Sequence, residues 1–336
     1  MQTFISFIFV FGLLVFFHEF GHFALAKINN IKVHQFALGM GPKLLSYQGK
    51  ETEYSIRVLP LGGYVKMEGE DESSNDARSF SKKSPLQRIS VLAAGPIMNI
   101  ILAILLLTIV ISAMGMPVNI INEVTENSPA QLAGLKSGDE IVKVNDTTIK
   151  SWSDVVETIS KSQSDIVVVN VIRDGEMLSF DIKPMLDKET NRRMIGISPA
   201  IEKSISSSII VSTKGVFYGI KQIFVVLSQL IRGELSAGEQ VVGPIGMVHF
   251  IGEAARSSIY DLLASAANIS ISLAILNILP FPALDGGRII FAIIELIKGS
   301  PIDPEKEGFV HMIGFIVLMI LMVVVLVKDI IKFNIL

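Results

Sequence analysis

The chain has 336 residues, half of them apolar and only 18% charged, with a mean hydropathy of +0.55 and an isoelectric point near 6.0. Soluble domains carry about 25% charged residues, so the composition excludes an ordinary water-soluble enzyme. A net charge of −3 excludes the basic face that nucleic-acid binding requires. The chain contains no cysteine, which excludes disulfides, thiolate nucleophiles and cysteine metal ligands. Any metal must therefore be held by His, Asp, Glu or main-chain oxygen.

A first apolar run, Phe4–Ala26, is interrupted only by His18, Glu19 and His22. It has about the 20 residues that cross a hydrocarbon core of about 30 Å. Ala24-Leu25-Ala26 imitates a signal-peptide cleavage site, yet no Lys or Arg precedes Lys27, so the basic n-region is missing and the run reads as a retained span. Next, Leu44–Val58 predicts a hairpin, with a polar turn at Gly49-Lys50-Glu51 and alternation through Tyr54, Ile56 and Val58. Leu59-Pro60-Leu61-Gly62-Gly63 is too broken for a strand or a helix, and residues 68–84 read as an acidic, serine-rich solvated loop. A second apolar run extends from Ile89 past Met116.

Residues 117–200 alternate β-like runs (Val118–Val124, Glu140–Val144, Ile166–Arg173, Met177–Ile182) with turns. One helix near Ser153–Ser160 would bury Val155, Val156 and Ile159, giving a small α+β domain. Ile209–Arg232 has apolar residues at helical spacing with Lys214, Lys221 and Arg232 among them, which predicts a helix lying in the membrane interface. The third and fourth apolar runs lie between Asp261 and Asp285 and over Phe309–Val327. The fold class is therefore a polytopic α-helical membrane protein with four transmembrane helices, a cytoplasmic membrane-associated β-hairpin region and an inserted extracytoplasmic α+β domain. Its organisation reads as 1–116, first half of the core; 117–200, the inserted domain; 201–257, connector with the interfacial helix; and 258–336, second half of the core.

Loop charges orient the chain. Residues 27–88 hold ten Lys/Arg against seven Asp/Glu, whereas residues 117–208 hold ten against fourteen. The first segment is thus cytoplasmic and the second faces outward. His18, Glu19 and His22 then lie towards the cytoplasmic end of the first span, and Asp285 lies at the cytoplasmic end of the third.

His18-Glu19-Phe20-Gly21-His22 is an H-E-x-x-H sequence. Residues four apart share a helix face, so both imidazoles can hold one zinc ion, and Glu19 can reach a water on that metal as general base. Ionisable groups inside a span cost about 2.5–3.5 kcal/mol each on insertion scales, so three together need a compensating partner such as a metal. A catalytic zinc wants a third protein ligand. His34, His249 and His311 read as surface or interfacial histidines. Asp285 fits better, because Asn277-Ile278-Leu279-Pro280-Phe281-Pro282-Ala283-Leu284-Asp285-Gly286-Gly287 breaks a hydrophobic run with two prolines and follows the carboxylate with two glycines suited to sharp turning. Irregular backbone at membrane depth is tolerated only where protein or a water-filled cavity covers it. A helix-capping role for Asp285 is the plainer alternative.

The zinc motif with Leu284-Asp285-Gly286-Gly287 resembles the site-2 protease family of intramembrane zinc metalloproteases, closest to the bacterial regulator-of-sigma-E branch. Gly39-Met40-Gly41-Pro42, Leu61-Gly62-Gly63-Tyr64-Val65-Lys66, Ala94-Gly95-Pro96-Ile97-Met98-Asn99 and Val242-Gly243-Pro244-Ile245-Gly246 extend the resemblance over nearly the whole chain. It implies one Zn2+ held by His18, His22 and Asp285, with Glu19 as base. It further implies that Asn277 and the Gly62-Gly63-Tyr64 segment contact substrate backbone. Asn99 reads equally well as a helix-packing residue. The outward domain looks like a single PDZ domain of circularly permuted form, from Ser128-Pro129-Ala130, Ala133-Gly134-Leu135 and Gly138-Asp139, with Ile195-Gly196-Ile197 as its carboxylate-binding loop. The implied partners are the lipid bilayer and a single-span membrane protein, such as an anti-sigma factor, already cut on its outer side; no nucleic acid is expected. The implied location is the bacterial inner membrane.

Two other classes make different demands. A catalytically dead PDZ adaptor would lack a ligand or the base, and all four residues are present. A metal transporter would carry further polar residues along its second and fourth spans, which have almost none.

Overall fold

The first element is helix α1, Gln2–Ile28, in a computed structural model that describes residues 2–70, 74–187, 192–235 and 243–332. The chain divides into two units, residues 1–110 with 209–336, and residues 111–208. Strands β1 (Val33–Gln48) and β2 (Glu53–Met67) follow α1 as an antiparallel pair. The expected turn is in place, with Gly49 N–H donating to Thr52 O at 3.0 Å. Lys27 donates to Glu51 at 2.5 Å, and Lys27 and Arg78 together hold the Glu51 carboxyl down at about 2.

The strands run well beyond the predicted hairpin. Residues 59–63, expected to be irregular, belong to β2. Glycines in the left-handed region absorb the distortion, with φ of 85° at Gly39, 84° at Gly41 and 72° at Gly62, a conformation that costs glycine nothing. Residues 35–38 consequently carry two rows of partners, Lys66 to Gly63 in one and Glu53 to Ile56 in the other. Nor are the described residues of the 68–84 segment simply solvated. Lys32 N–H bonds Arg78 O and Phe80 N–H bonds Glu68 O. Phe80 thereby enters a buried cluster with Ile31, Val33, Met67 and Val91. Helix α2, Pro85–Met114, continues through the second apolar run.

Unit 111–208 contains β3 (Met116–Val124), α3 (Pro129–Ala133), β4 (Glu140–Val144), β5 (Thr147–Thr148), α4 (Trp152–Lys161), β6 (Val167–Arg173), β7 (Glu176–Ile182), β8 (Met185–Leu186), β9 (Arg193–Met194) and β10 (Ile197–Glu202). The main sheet has order β10-β3-β4-β6-β7, with β5 added on β4. Period-two alternation puts Val167, Val169 and Val171 of β6 in the core, where they meet Val155 and Ile159 of α4. Val156, expected inside, is 44% exposed, because it lies one residue round the helix from Val155. Ser128 caps α3 by accepting from Gln131 N–H.

Helix α5 spans Ile205–Ile231. Five described helices, α5 among them, are long and apolar enough to cross a membrane, where four had been expected. Two lysines in 27 residues leave α5 apolar enough on average, so length and composition do not separate it from the spans. Helices α6 (Pro244–Ser257), α7 (Ile259–Ile278), α8 (Asp285–Lys298) and α9 (Pro304–Lys332) complete the chain. Val216 of α5 is buried with Val10, Leu102, Ile251 and Leu262. Small residues on α7, including Ala267, Ser270 and Ala274, are buried and permit close helix approach. Gln2 Nε2 donates to Ala255 O at 2.8 Å. At the other end of α6, buried Asp329 of α9 accepts from Gly243 N–H at 3.3 Å and Gly246 N–H at 2.9 Å.

Candidate metal centre

His18 and His22 project from one face of α1, with Nε2 atoms 3.2 Å apart. Helix α7 stops at Ile278, where Pro280 and Pro282 cannot continue the ladder, and the chain turns at Ala283, φ 74°, into α8, whose first residue is Asp285. Asp285 Oδ2 lies 3.3 Å from His18 Nε2 and 3.4 Å from His22 Nε2. Ligand atoms of all three residues fall within 4.8 Å of one another.

The surroundings suit a metal. His22 Nδ1–H donates to Val91 O at 2.9 Å, which leaves the Nε2 lone pair directed at the other two groups. Asp285 Oδ2 is buried and makes no hydrogen bond. A Cβ added at Gly95 would sit 2.3 Å from His22 Nε2 and 2.8 Å from His18 Cε1, and one at Gly21 would sit 2.3 Å from Ala94 O. The two glycines thus let α1 and α2 approach closely enough for the rings to fit. Two imidazole nitrogens and one carboxylate oxygen form the three-ligand donor set of a catalytic zinc site.

Gly286 and Gly287 play a different part from the expected sharp turn. Neither has positive φ; a Cβ at Gly286 would lie 2.2 Å from Ile278 O, and at Gly287 2.4 Å from Phe281 O. They let the irregular 278–282 segment fold onto α8. Glu19 lies against the sheet: a Cβ on Gly63 would be 2.9 Å from Glu19 Cγ. Tyr64 OH donates to Gln35 Oε1 at 2.8 Å and accepts from Arg57 at 2.5 Å. Asn277 occupies the last turn of α7. In the other unit, Ile195 is in the core, and Gly196, φ 82°, accepts from Thr125 N–H at 2.9 Å while Ile197 opens β10.

His34 pairs with Glu68 at 2.6 Å and His249 with Glu253 at 3.3 Å, both apart from the cluster. His311 does more than expected: its Nδ1 accepts from Ala283 N–H at 2.8 Å, bracing the turn that presents Asp285. Gly95, His311 and the amide of Asn99, 3.3 Å from His18 Nδ1, were not singled out as parts of the site, although Gly95 and Asn99 stand inside a quoted motif.

A His-Glu-x-x-His helix meeting a distant aspartate among long apolar helices defines a membrane-embedded metal-dependent hydrolase. Residues 6–321 match peptidase family M50, and the chain belongs to that family, as a zinc metalloprotease of the site-2 type. It is 41% identical over 331 residues to a provisionally named zinc metalloprotease of Clostridium acetobutylicum, covering 96% of each chain. It is 33% identical to zinc metalloprotease RasP of Geobacillus kaustophilus, over 99% of each. With the regulator of sigma-W protease RasP of Bacillus subtilis it shares 34% over 98% of each, in an alignment of 417 positions, so that relative carries residues this chain lacks. Among solved structures, the PDZ domain of the SdrC-like protein of Listeria monocytogenes covers 26% of this chain and 88% of its own, at 23% identity and a TM-score of 0.23.

Proposed function

We propose that this protease hydrolyses a peptide bond within or beside the transmembrane segment of a single-span protein, releasing its cytoplasmic portion. The observation that carries this reading is the convergence of His18, His22 and Asp285 beside Glu19, itself packed on the Gly63 backbone. His18, His22 and Asp285 hold one zinc ion, which when bound polarises the scissile carbonyl. Glu19 takes a proton from the attacking water and delivers it to the leaving amide nitrogen. Helical amides are hydrogen-bonded, so the substrate must unwind first. The half-buried Gly62-Gly63-Tyr64 stretch of β2 receives the extended segment as an added strand, and Asn277 holds its main chain.

Four helices cross the membrane and α5 lies along the interface. At 1.5 Å rise per residue, Gln2 lies about 24 Å along α1 from His18, and Asp329 about 27 Å along α9 from His311. Both ends of α6 contact these distant points, so the chain that leaves α5 returns to the side from which it came. Loop charges put that side outward and the metal centre towards the cytoplasm. The PDZ-like unit, with Ile195, Gly196 and Ile197 as its terminus-binding loop, admits substrates already trimmed outside, of the anti-sigma-factor kind.

The test is cleavage of a single-span substrate in reconstituted vesicles. Glu19→Gln keeps stoichiometric zinc and loses cleavage; a variant that cleaves normally would remove Glu19 from its role, and wild type without stoichiometric metal would remove the site.

A further inference from the structure

Each imidazole of the cluster offers its Nε2 to the common point, so each Nδ1 must settle which tautomer the ring adopts. For His22 the partner is the carbonyl of Val91, 2.9 Å away, which can only accept; that ring is fixed with its Nε2 lone pair inward. For His18 the partner is the side-chain amide of Asn99, with Nδ2 at 3.3 Å from Nδ1. Asn99 is 0% exposed, and its Oδ1 has no hydrogen-bond partner. An amide carries a donor and an acceptor that exchange places on a half-turn.

We propose that Asn99 is a positioning residue of the metal centre, setting the tautomer of His18. The proposal rests on His18, His22 and Asp285 being the zinc ligands. With Nδ2 towards the ring, His18 Nδ1 accepts and Nε2–H faces Asp285 Oδ2, 3.3 Å away. With the amide turned, Oδ1 accepts from Nδ1–H, and the Nε2 lone pair is free for zinc. A primary amide satisfies His18 in both arrangements. Helix packing around Asn99 is held by a separate bond, in which Ser270 Oγ–H of α7 donates to the Asn99 main-chain carbonyl at 2.8 Å, so packing and positioning can be removed independently.

The experiment uses the full chain in detergent, stripped by chelator and titrated with Zn2+ against a chromophoric competitor, with the melting of the stripped protein followed in parallel. Asn99→Leu lowers zinc affinity about 10- to 100-fold, the cost typical of losing an outer-shell partner. Asn99→Asp, which can only accept, retains wild-type affinity or exceeds it. Ser270→Ala leaves affinity unchanged while lowering the melting temperature. Should Asn99→Leu fail to fold, Asn99→Ser, whose hydroxyl falls short of the ring, supplies the loss variant. Wild-type affinity in the folded loss variant overturns the proposal, as does Asn99→Asp binding as weakly as Asn99→Leu. Failure of wild type to bind zinc would instead overturn the ligand assignment beneath it.

Discussion

At the scale of single residues, the centre depends as much on absent atoms as on present ones. Gly95 faces both rings, and a methyl there would stand 2.3 Å from His22 Nε2, the nitrogen offered to the metal. Because His22 is also tethered to Val91 O, its ring cannot swing aside without breaking that bond. Gly95→Ala is therefore expected to weaken zinc binding by at least about 100-fold, the upper end for outer-shell losses, measured by metal content after dialysis at fixed free zinc. His311 acts at one remove. His311→Phe keeps an aromatic ring but removes the acceptor for Ala283 N–H, costing about 1 kcal/mol of stability in thermal melts of the full chain. The same variant should bind zinc more weakly, since the turn carrying Asp285 is no longer braced. The cluster of His18, His22 and Asp285 was legible because a helix period relates His18 to His22 and because two prolines announce an unusual backbone before Asp285. Gly95, Asn99 and His311 acquire meaning only where α2 and α9 pack on α1 and the 279–284 turn, and a one-dimensional pattern does not reveal which helices become neighbours.

At the scale of elements, the hairpin was recognised but underestimated. Pro42, Pro60 and the glycines near them are strand breakers in a regular ladder, yet here left-handed glycines turn each strand back so that residues 35–38 gain partners on both sides. Alternation detects a strand, whereas a strand bent at glycine looks like two fragments and a loop. Helix α5 posed the converse problem, since length and composition do not separate it from a span, and the interfacial placement proposed for it leans on the contacts at both ends of α6. Those contacts depend on Asp329, whose carboxylate accepts from Gly243 and Gly246 in buried surroundings. Asp329→Ala would leave two buried N–H groups unpaired at about 1–3 kcal/mol each. It is expected to lower the melting temperature of the full chain while leaving zinc stoichiometry at the wild-type value, because Asp329 lies about 27 Å along α9 from His311, the residue of that helix that braces the Asp285 turn.

At the scale of the molecule, the two units have separate hydrophobic cores. The core of residues 111–208 is built around Ile141, Val169 and Ile182, and that around the spans on Val10, Leu102 and Leu262, so damage to one should leave the other intact. The α+β unit offers a sharp point of attack. Asp139 is fully buried and accepts from Arg173 Nε at 2.6 Å, from Arg173 Nη2 at 2.7 Å and from Lys136 N–H at 2.8 Å. Burial alone would push its carboxyl up, but the guanidinium and the Lys136 main chain hold it below the ordinary carboxylate value. A depressed carboxyl contributes stability that is present above its unfolded value and is lost as pH falls through the folded one. Arg173→Met leaves that charge buried and unpaired, a loss of about 3–5 kcal/mol near neutral pH. Hydrogen exchange in the full chain should then show the amides of β6 opening faster, with those of α1 and α7 unchanged. The gap between variant and wild type should narrow as acid protonates Asp139, once intrinsic exchange rates are allowed for. Uniform acceleration across α1 and α7 would mean that the two cores unfold together.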